Sequence, residues 1–401
     1  MTAASTRLDR WGFVALAASL GLIQLNIKGE ILFGIAALCW LILLIRERRR
    51  PEVPAFFLPL IALACWTLVS TAFSSNLTAS LRQDKQLLLY LIVPVTMLFA
   101  RGQRASLVAN VIIAVGAASA LVGIVQYAAM GYDDLNQRPK GMLGHYMTYS
   151  GVLMLVSCVA IAHVVFHRRE WIWPAVAVPA LLAAVAFSAS RNTWFGGLLA
   201  ISAIVAVKNW KWLALIPPVL AASLALAPSD IRQRAWSAFD PNDPTRRDRM
   251  AMLESGKLMI ADHPLLGVGP NMVETAYLEK YRTPDAVDPP DQPGKPGKGR
   301  SHLHNVPVQL AAERGLPALA AWLWFVVVAL RDLYRLVRRS TQVSEKALAA
   351  AGLAVVVAML AAGLFEHNFG DSEVLLLFLG IITLPFAAAS GLQRDRKSVA
   401  S

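Results

Sequence analysis

Two short stretches carry side chains better suited to chemistry than to packing. Ser188-Ala189-Ser190-Arg191-Asn192-Thr193 is a polar interruption between two apolar runs, and Arg191 stands in it almost at the level where those runs end. An arginine at the edge of a membrane is costly unless it pairs or faces a polar cavity. Its planar fork of donors is suited to phosphate. The alternative is an arginine that snorkels from a helix end. The second stretch, Ser301-His302-Leu303-His304-Asn305-Val306-Pro307-Val308-Gln309, precedes another apolar run. An imidazole there titrates near neutrality and can take a proton from a hydroxyl or orient it; the alternative is a helix cap. Two histidines alone make a poor metal site, since no cysteine is near and no carboxylate stands at a diagnostic spacing. No metal is expected.

Further basic residues share the outer side with Arg191. Arg82 and Lys85 precede one apolar run. Arg138 and Lys140 precede another, in Arg138-Pro139-Lys140-Gly141-Met142-Leu143-Gly144-His145-Tyr146. Arg246, Arg247 and Arg249 open a long polar segment. Any one of them alone reads as solvated or as a headgroup contact, and Asp84 or Asp248 could pair with a neighbour. Together they would make a basic pocket suited to a lipid pyrophosphate. Asn305 and Gln309, beside His304, are candidate polar contacts to a glycan, and His145 is a weaker candidate. His367, in Glu366-His367-Asn368, also lies at an outer helix end, whereas His163 and His167 look structural.

The elements that must position these residues follow from composition. The 401-residue chain is 56% hydrophobic and 16% charged, with a mean hydropathy of +0.50. A soluble domain carries about 25% charge, so an ordinary cytosolic enzyme and a disordered chain are both excluded. The chain reads as an all-α polytopic membrane protein. About twelve apolar segments are candidate spans: 11–27, 31–45, 54–73, 86–100, 105–130, 143–166, 171–188, 193–207, 212–227, 316–336, 347–365 and 374–391. Arg7 and Arg10 precede the first, which has no clear cleavage site and is expected to be an uncleaved anchor. Cys39, Cys65 and Cys158 lie inside apolar runs and match no disulfide framework.

Lysine and arginine number 38 against 26 acids, a net charge of +12. With the N-terminus cytoplasmic, the inner connections hold Arg7 and Arg10, the run Arg46 to Arg50, Arg101 and Arg104, Arg168 and Arg169, Lys208 and Lys211, Arg331 to Lys346, and Arg394 to Lys397. The positive excess is therefore the topology of a membrane protein, not a nucleic-acid footprint. Both termini are expected in the cytoplasm. Segment 228–315, with twelve basic and twelve acidic residues, falls outside. It divides the chain into spans one to nine (1–227), an outer loop domain that is partly helical (228–315), and spans ten to twelve with a tail (316–401). Met250, Leu253, Lys257 and Ile260 repeat at helical spacing. His263-Pro264-Leu265-Leu266-Gly267-Val268-Gly269-Pro270 ends that helix. Residues 283–300, rich in Pro, Gly, Asp and Lys, read as a mobile loop.

The twelve spans, the long outer loop before the tenth, the Ser190-Arg191 turn, the segment His263 to Pro270, and His304-Asn305 followed by Gly315 together resemble the bacterial O-antigen ligase and polymerase superfamily. The His-Asn…Gly pattern is strongest for the ligase branch. Ala318 departs from a glycine usual there. A branch that transfers glycans to proteins usually carries a longer C-terminal region, so the ligase branch is expected. The resemblance implies a glycosyltransferase in lipopolysaccharide biosynthesis, multi-pass in the bacterial inner membrane, with its active site on the periplasmic face. It would move a glycan from undecaprenyl pyrophosphate to a sugar hydroxyl of lipid A–core, with no cofactor. Arg191 would hold the pyrophosphate, with Arg249 as second ligand, and His304 would serve the acceptor hydroxyl. The sequence agrees in having no nucleotide-binding glycine loop on a strand–helix unit. Three rivals remain: an O-antigen polymerase extending a lipid-linked glycan, a polyprenyl-glycan transporter or flippase, and a membrane scaffold.

Overall fold

The computed structural model describes residues 3–48, 50–133, 137–167, 172–240, 243–283 and 302–400. Nearly all of the expected loop 283–300, together with Ser301, Arg49, Arg168 and Arg169, lies outside the described residues. Every regular element described is helical. In order, these are α1 (Ala3–Leu22), α2 (Gly29–Glu47), α3 (Phe57–Ala72), α4 (Leu77–Asp84), α5 (Ile92–Phe99), α6 (Gln103–Met130), α7 (Tyr146–Phe166), α8 (Ile172–Phe187), α9 (Arg191–Asn209), α10 (Ile216–Leu226), α11 (Ser229–Trp236), α12 (Pro244–Asp262), α13 (Val273–Ala276), α14 (Val306–Arg339), α15 (Val343–Gly363) and α16 (Ser372–Ala400). Backbone polar groups in lipid must be satisfied within the segment, and a helix does that.

Eight helical stretches among the described residues are long and apolar enough to cross a membrane, and α3 and α8 are shorter apolar helices. The expected span 86–100 is divided between a 3-10 stretch, Lys85–Leu91, and the eight-residue α5. The expected spans 193–207 and 212–227 merge into one apolar stretch, Arg191–Leu226. The protein is a polytopic helical membrane protein. Its centre is α7, α15 and α16, whose apolar residues are buried on nearly all sides, as expected for helices with no polar face. α10 buries no residue.

The feature that positions the site is a break in α14. This helix begins at Val306, not at 316 as the sequence reading expects, and Gly315 interrupts it with φ 80° and ψ 172°. Pro317 follows. The interruption frees backbone groups that need partners, and the segment after α12 supplies them. The Val268 and Gly269 amides donate to the carbonyls of Ala312 (2.8 Å) and Glu313 (2.9 Å), and the Leu316 amide donates to the Pro264 carbonyl (2.8 Å). Trp66 Nε1 on α3 donates to the Arg314 carbonyl, and Ser70 Oγ to that of Leu266. A Cβ at Gly315 would overlap the Leu265 carbonyl, and one at Gly267, where φ is +67°, would overlap the Glu313 backbone. Only glycine meets both the backbone and the steric demand. His263 to Pro270 is thus more than the end of α12, which runs from Pro244 to Asp262. It docks the segment that follows α12 onto the broken helix.

α12 and the segment after it have a small core of their own. Met252, Met259, Val273, Tyr277, Tyr281, Leu303 and Ala312 are buried together. Leu303 belongs to this core, and its two histidine neighbours turn the other way.

Candidate active site

The centre of the site is Glu366, in the connection between α15 and α16 and only 5% exposed at its side chain. Its carboxylate faces His302 Nε2 at 3.0 Å and His304 Nδ1 at 3.1 Å. Arg249 Nη2 of α12 stands 3.7 Å from Glu366 Oε2. The two imidazole rings are 4.3 Å apart, edge to face. The connection is held in place by Asn305, which caps α14 by accepting from the Val308 amide and donates its side-chain amide to the Leu364 carbonyl. His304 has φ +50°, an uncommon conformation for a residue other than glycine. Burial pushes the Glu366 carboxyl up, but hydrogen bonds from His302 and His304, joined by the attraction of either ring when it is protonated, outweigh it and hold the group well below the usual carboxylate range. Glu366 is therefore a fixed anion beside two imidazoles. Burial pulls the neighbouring His367 down to about 3, with help from His302 and Arg314, so its ring is neutral.

Next to this anion lies a cluster of arginines. Arg191 is the first residue of α9, an end of the helix dipole that disfavours a cation. Asp243 offsets that cost: its carboxylate accepts from Arg191 Nη1 at 3.0 Å and Nη2 at 3.3 Å while capping α12 through the Thr245 and Arg246 amides. Burial raises the Asp243 carboxyl, but the Arg191 hydrogen bond and charge lower it further. Arg234 of α11 stands 3.7 Å from the same carboxylate. Burial, then repulsion from Arg191 and Arg138, lowers Arg234 to about 10, so it stays charged at neutral pH. Burial and repulsion from Arg191 lower Arg249 as well, against the attraction of Glu366. Arg138 lies over the Tyr146 ring, 4.3 Å from its centroid. Arg191, Arg234 and Arg249, from three parts of the chain, thus share the two buried carboxylates Asp243 and Glu366, which leaves positive charge for an anionic ligand.

His145 caps α7 beside Tyr146, its Nδ1 accepting from the Met147 amide, and it lies near enough to Glu366, His302 and Arg138 to feel their charges. Other expected residues stand apart. Arg246 and Arg247 are exposed on α12, on a different face from half-buried Arg249. Arg82 and Lys85 are exposed at the end of α4, and Lys140 is also exposed. Both polar atoms of Asn305 are used in fixing the backbone, and Gln309 Oε1 accepts from the Leu303 amide at 2.7 Å. These two therefore shape the site by holding the histidine loop. Sequence reasoning passed over Glu366, Arg234 and Asp243. Glu366 had the same signal as His304, an ionisable group at an outer helix end, but its partners were invisible. Arg234 was one of many outer basic residues.

His302, His304 and Glu366 place three ligand atoms within 4.8 Å of one another, close enough to hold a metal ion. The carboxylate that the sequence spacing did not reveal is supplied by the fold. The Arg249 guanidinium already stands against it, and a second cation there would be repelled.

Residues 140–323 match the family described as O-antigen ligase. That stretch, a little under half of the chain, is similar to the O-antigen ligase family. Comparison with curated proteins gives no match. The matched stretch includes Arg191, Arg234, Asp243, Arg249, His302 and His304, and leaves Arg138 and Glu366 outside it. The family supports an O-antigen ligase or polymerase type of function: a glycosyltransferase-like membrane enzyme acting on a lipid-linked glycan.

Proposed function

We propose that the protein is an O-antigen ligase, which moves a glycan from undecaprenyl pyrophosphate to a sugar hydroxyl of lipid A–core with inversion at the anomeric carbon. The observation that carries this reading is the Glu366 carboxylate, which joins two imidazoles and an arginine beside the Arg191, Arg234 and Arg138 cluster. A proton acceptor and an anion site therefore lie side by side. His304 takes the proton of the acceptor hydroxyl as that oxygen attacks the anomeric carbon, and Glu366 holds the imidazole in position. The bond from the anomeric carbon to the pyrophosphate oxygen breaks on the opposite face. Arg191 and Arg249 meet the charge that develops on the leaving pyrophosphate, a large term in catalysis.

The site belongs to the periplasmic face of the inner membrane, with segment 228–315 outside and both termini cytoplasmic. The twelve-span topology and the three-part division of the chain go with this reading. The reaction needs no metal, because arginines supply the positive charge and Arg249 guards the Glu366 carboxylate. The test is transfer in vitro with purified full-length protein and undecaprenyl-pyrophosphate glycan, offered either lipid A–core or only further lipid-linked repeats, each with and without chelator. Transfer to lipid A–core that survives chelator is expected. Elongation of the lipid-linked glycan alone would make the protein a polymerase. Full loss in chelator, restored by one metal, would remove the metal-independent mechanism.

A further inference from the structure

The arginine cluster accounts for the anionic part of the donor and leaves a second cavity unexplained. A space of about 220 Å³ opens beside the histidines, lined by Gln83, Asn271, Gln309, Glu313 and Asp371 among others. His302 and Glu366 form one wall of it. The lining comes from α4, α7, the segment after α12, the start of α14 with the His302 stretch before it, and the connection before α16. Its chemistry is opposite to that of the arginine side. No lysine or arginine lines it, whereas three carboxylates and three side-chain amides do. Glu366 divides the two regions: Oε1 faces His302, which lines the cavity, and Oε2 faces Arg249.

Carboxylates and amides together donate to and accept from hydroxyl groups, whereas a phosphate placed among three carboxylates is repelled. Several of the groups keep capacity for a ligand. Gln83, on the lining, donates to Gln86 through its amide nitrogen, and its oxygen takes no hydrogen bond from a described residue. Asp371 Oδ2 accepts from Thr148, and its other oxygen takes no hydrogen bond from a described residue. The volume lies below the roughly 300–1,000 Å³ of sites for drug-sized ligands, which suits one ring and not an oligosaccharide.

We propose that this cavity is the acceptor subsite and that it binds a single hydroxyl-rich sugar ring carrying no phosphate, with His302 contacting the ring and His304 behind it serving the reacting hydroxyl. This rests on the glycosyl-transfer reading above and adds to it which sugars can accept. A donor sugar has the same hydroxyl chemistry. The acceptor is favoured because the cavity lies on the histidine side of Glu366, away from the arginines that hold the donor's pyrophosphate.

Two variants test it. Asn271 has φ +61°, so Asn271→Gly keeps the backbone and deletes only the side chain. Gln83→Ala removes an amide from the rim of α4. Each should raise KM for lipid A–core about three- to tenfold, the factor expected for one lost hydrogen bond, with KM for the undecaprenyl-pyrophosphate donor and kcat unchanged. A second arm needs no turnover: lipid A–core binding to the full-length protein without donor should weaken by a similar factor in Asn271→Gly, and a phosphate on the outermost core sugar should weaken binding to the wild type. Unchanged acceptor KM and acceptor binding in both variants would overturn the proposal. A rise in donor KM instead would assign the cavity to the donor sugar and also overturn it. Tighter binding of the phosphorylated core would reject the charge argument. If the wild type transfers nothing while Asn271→Gly still weakens lipid A–core binding, the transfer reading fails and the subsite stands.

Discussion

Glu366→Gln is the most informative single change. The glutamine keeps the shape of the side chain but replaces one carboxylate oxygen with an amide nitrogen that cannot accept. The wild-type carboxylate accepts from His302 at 3.0 Å and His304 at 3.1 Å, at a side chain only 5% exposed. Oε1 already faces both imidazoles, so what the change removes is the negative charge and the second acceptor, Oε2, which stands 3.1 Å from His304 Nδ1 and becomes a donor. A hydrogen bond to a charged group contributes about 1.5–3 kcal/mol. Transfer should therefore fall by roughly 10- to 150-fold. The loss should appear in kcat, because Arg191, the proposed donor ligand, pairs with Asp243 and is untouched by the change. Glu366→Asp, which keeps the charge on a shorter arm, should recover part of it. The sign of the pH effect follows from the depressed carboxyl: Glu366 stabilises the fold above the ordinary carboxylate range, and that contribution is lost as pH falls through its lowered pKa. The stability gap between wild type and Glu366→Gln should accordingly be widest near neutral pH and close in strong acid. Initial rates with purified protein, with thermal unfolding at several pH values, measure both. Transfer within threefold of wild type in Glu366→Gln would refute the positioning argument.

Arg191→Ala and His304→Ala should each be near-inactive, by about 10²–10³-fold and 10²–10⁴-fold, while still inserting; Arg191→Lys should recover part and His302→Ala should be milder, and near wild-type transfer by His304→Ala would return that residue to a structural cap. Gly315→Ala should fail to accumulate as folded protein, because the Leu265 carbonyl occupies the space of the new methyl, whereas Gly34→Ala, which meets nothing within 4 Å, should behave as wild type; equal expression and melting of the two would contradict the docking argument. Asp371 is raised by burial from 3.8 to about 6, so its contribution to stability declines as pH rises through that window; wild type should lose stability relative to Asp371→Asn between about pH 4 and 6, and parallel melting curves would rule this out. A cysteine replacing Lys257, which is 69% exposed on α12, should gain labelling by an impermeant thiol reagent in intact spheroplasts relative to the parent, and labelling only after the inner membrane is opened would reverse the proposed topology.

The sequence by itself determined the class of protein and the kind of chemistry. Apolar runs with little charge leave a helical membrane protein as the one outcome, because backbone groups in lipid must be satisfied within each segment. Arg191 and His304 stood out because an ionisable residue at the end of an apolar run is costly unless it pairs, and both do pair with buried carboxylates. The faces were not legible. Arg246, Arg247 and Arg249 are neighbours in the chain, but helical rotation buries only Arg249 toward Glu366 and turns the other two to solvent. Arg82 and Lys85 are likewise exposed, and so is Lys140, on a loop outside any helix. Nor could pairing be read. His304 meets Glu366 across 62 residues and Arg191 meets Asp243 across 52, and no spacing rule reaches that far. The break in α14 was hidden in a different way. Gly315 was visible as a glycine, but what it accommodates is the Leu265 carbonyl from another segment. Only the tertiary structure decided which charges meet, because a buried carboxylate draws in partners by distance in space, and the fold sets that distance through helix faces and a docked turn.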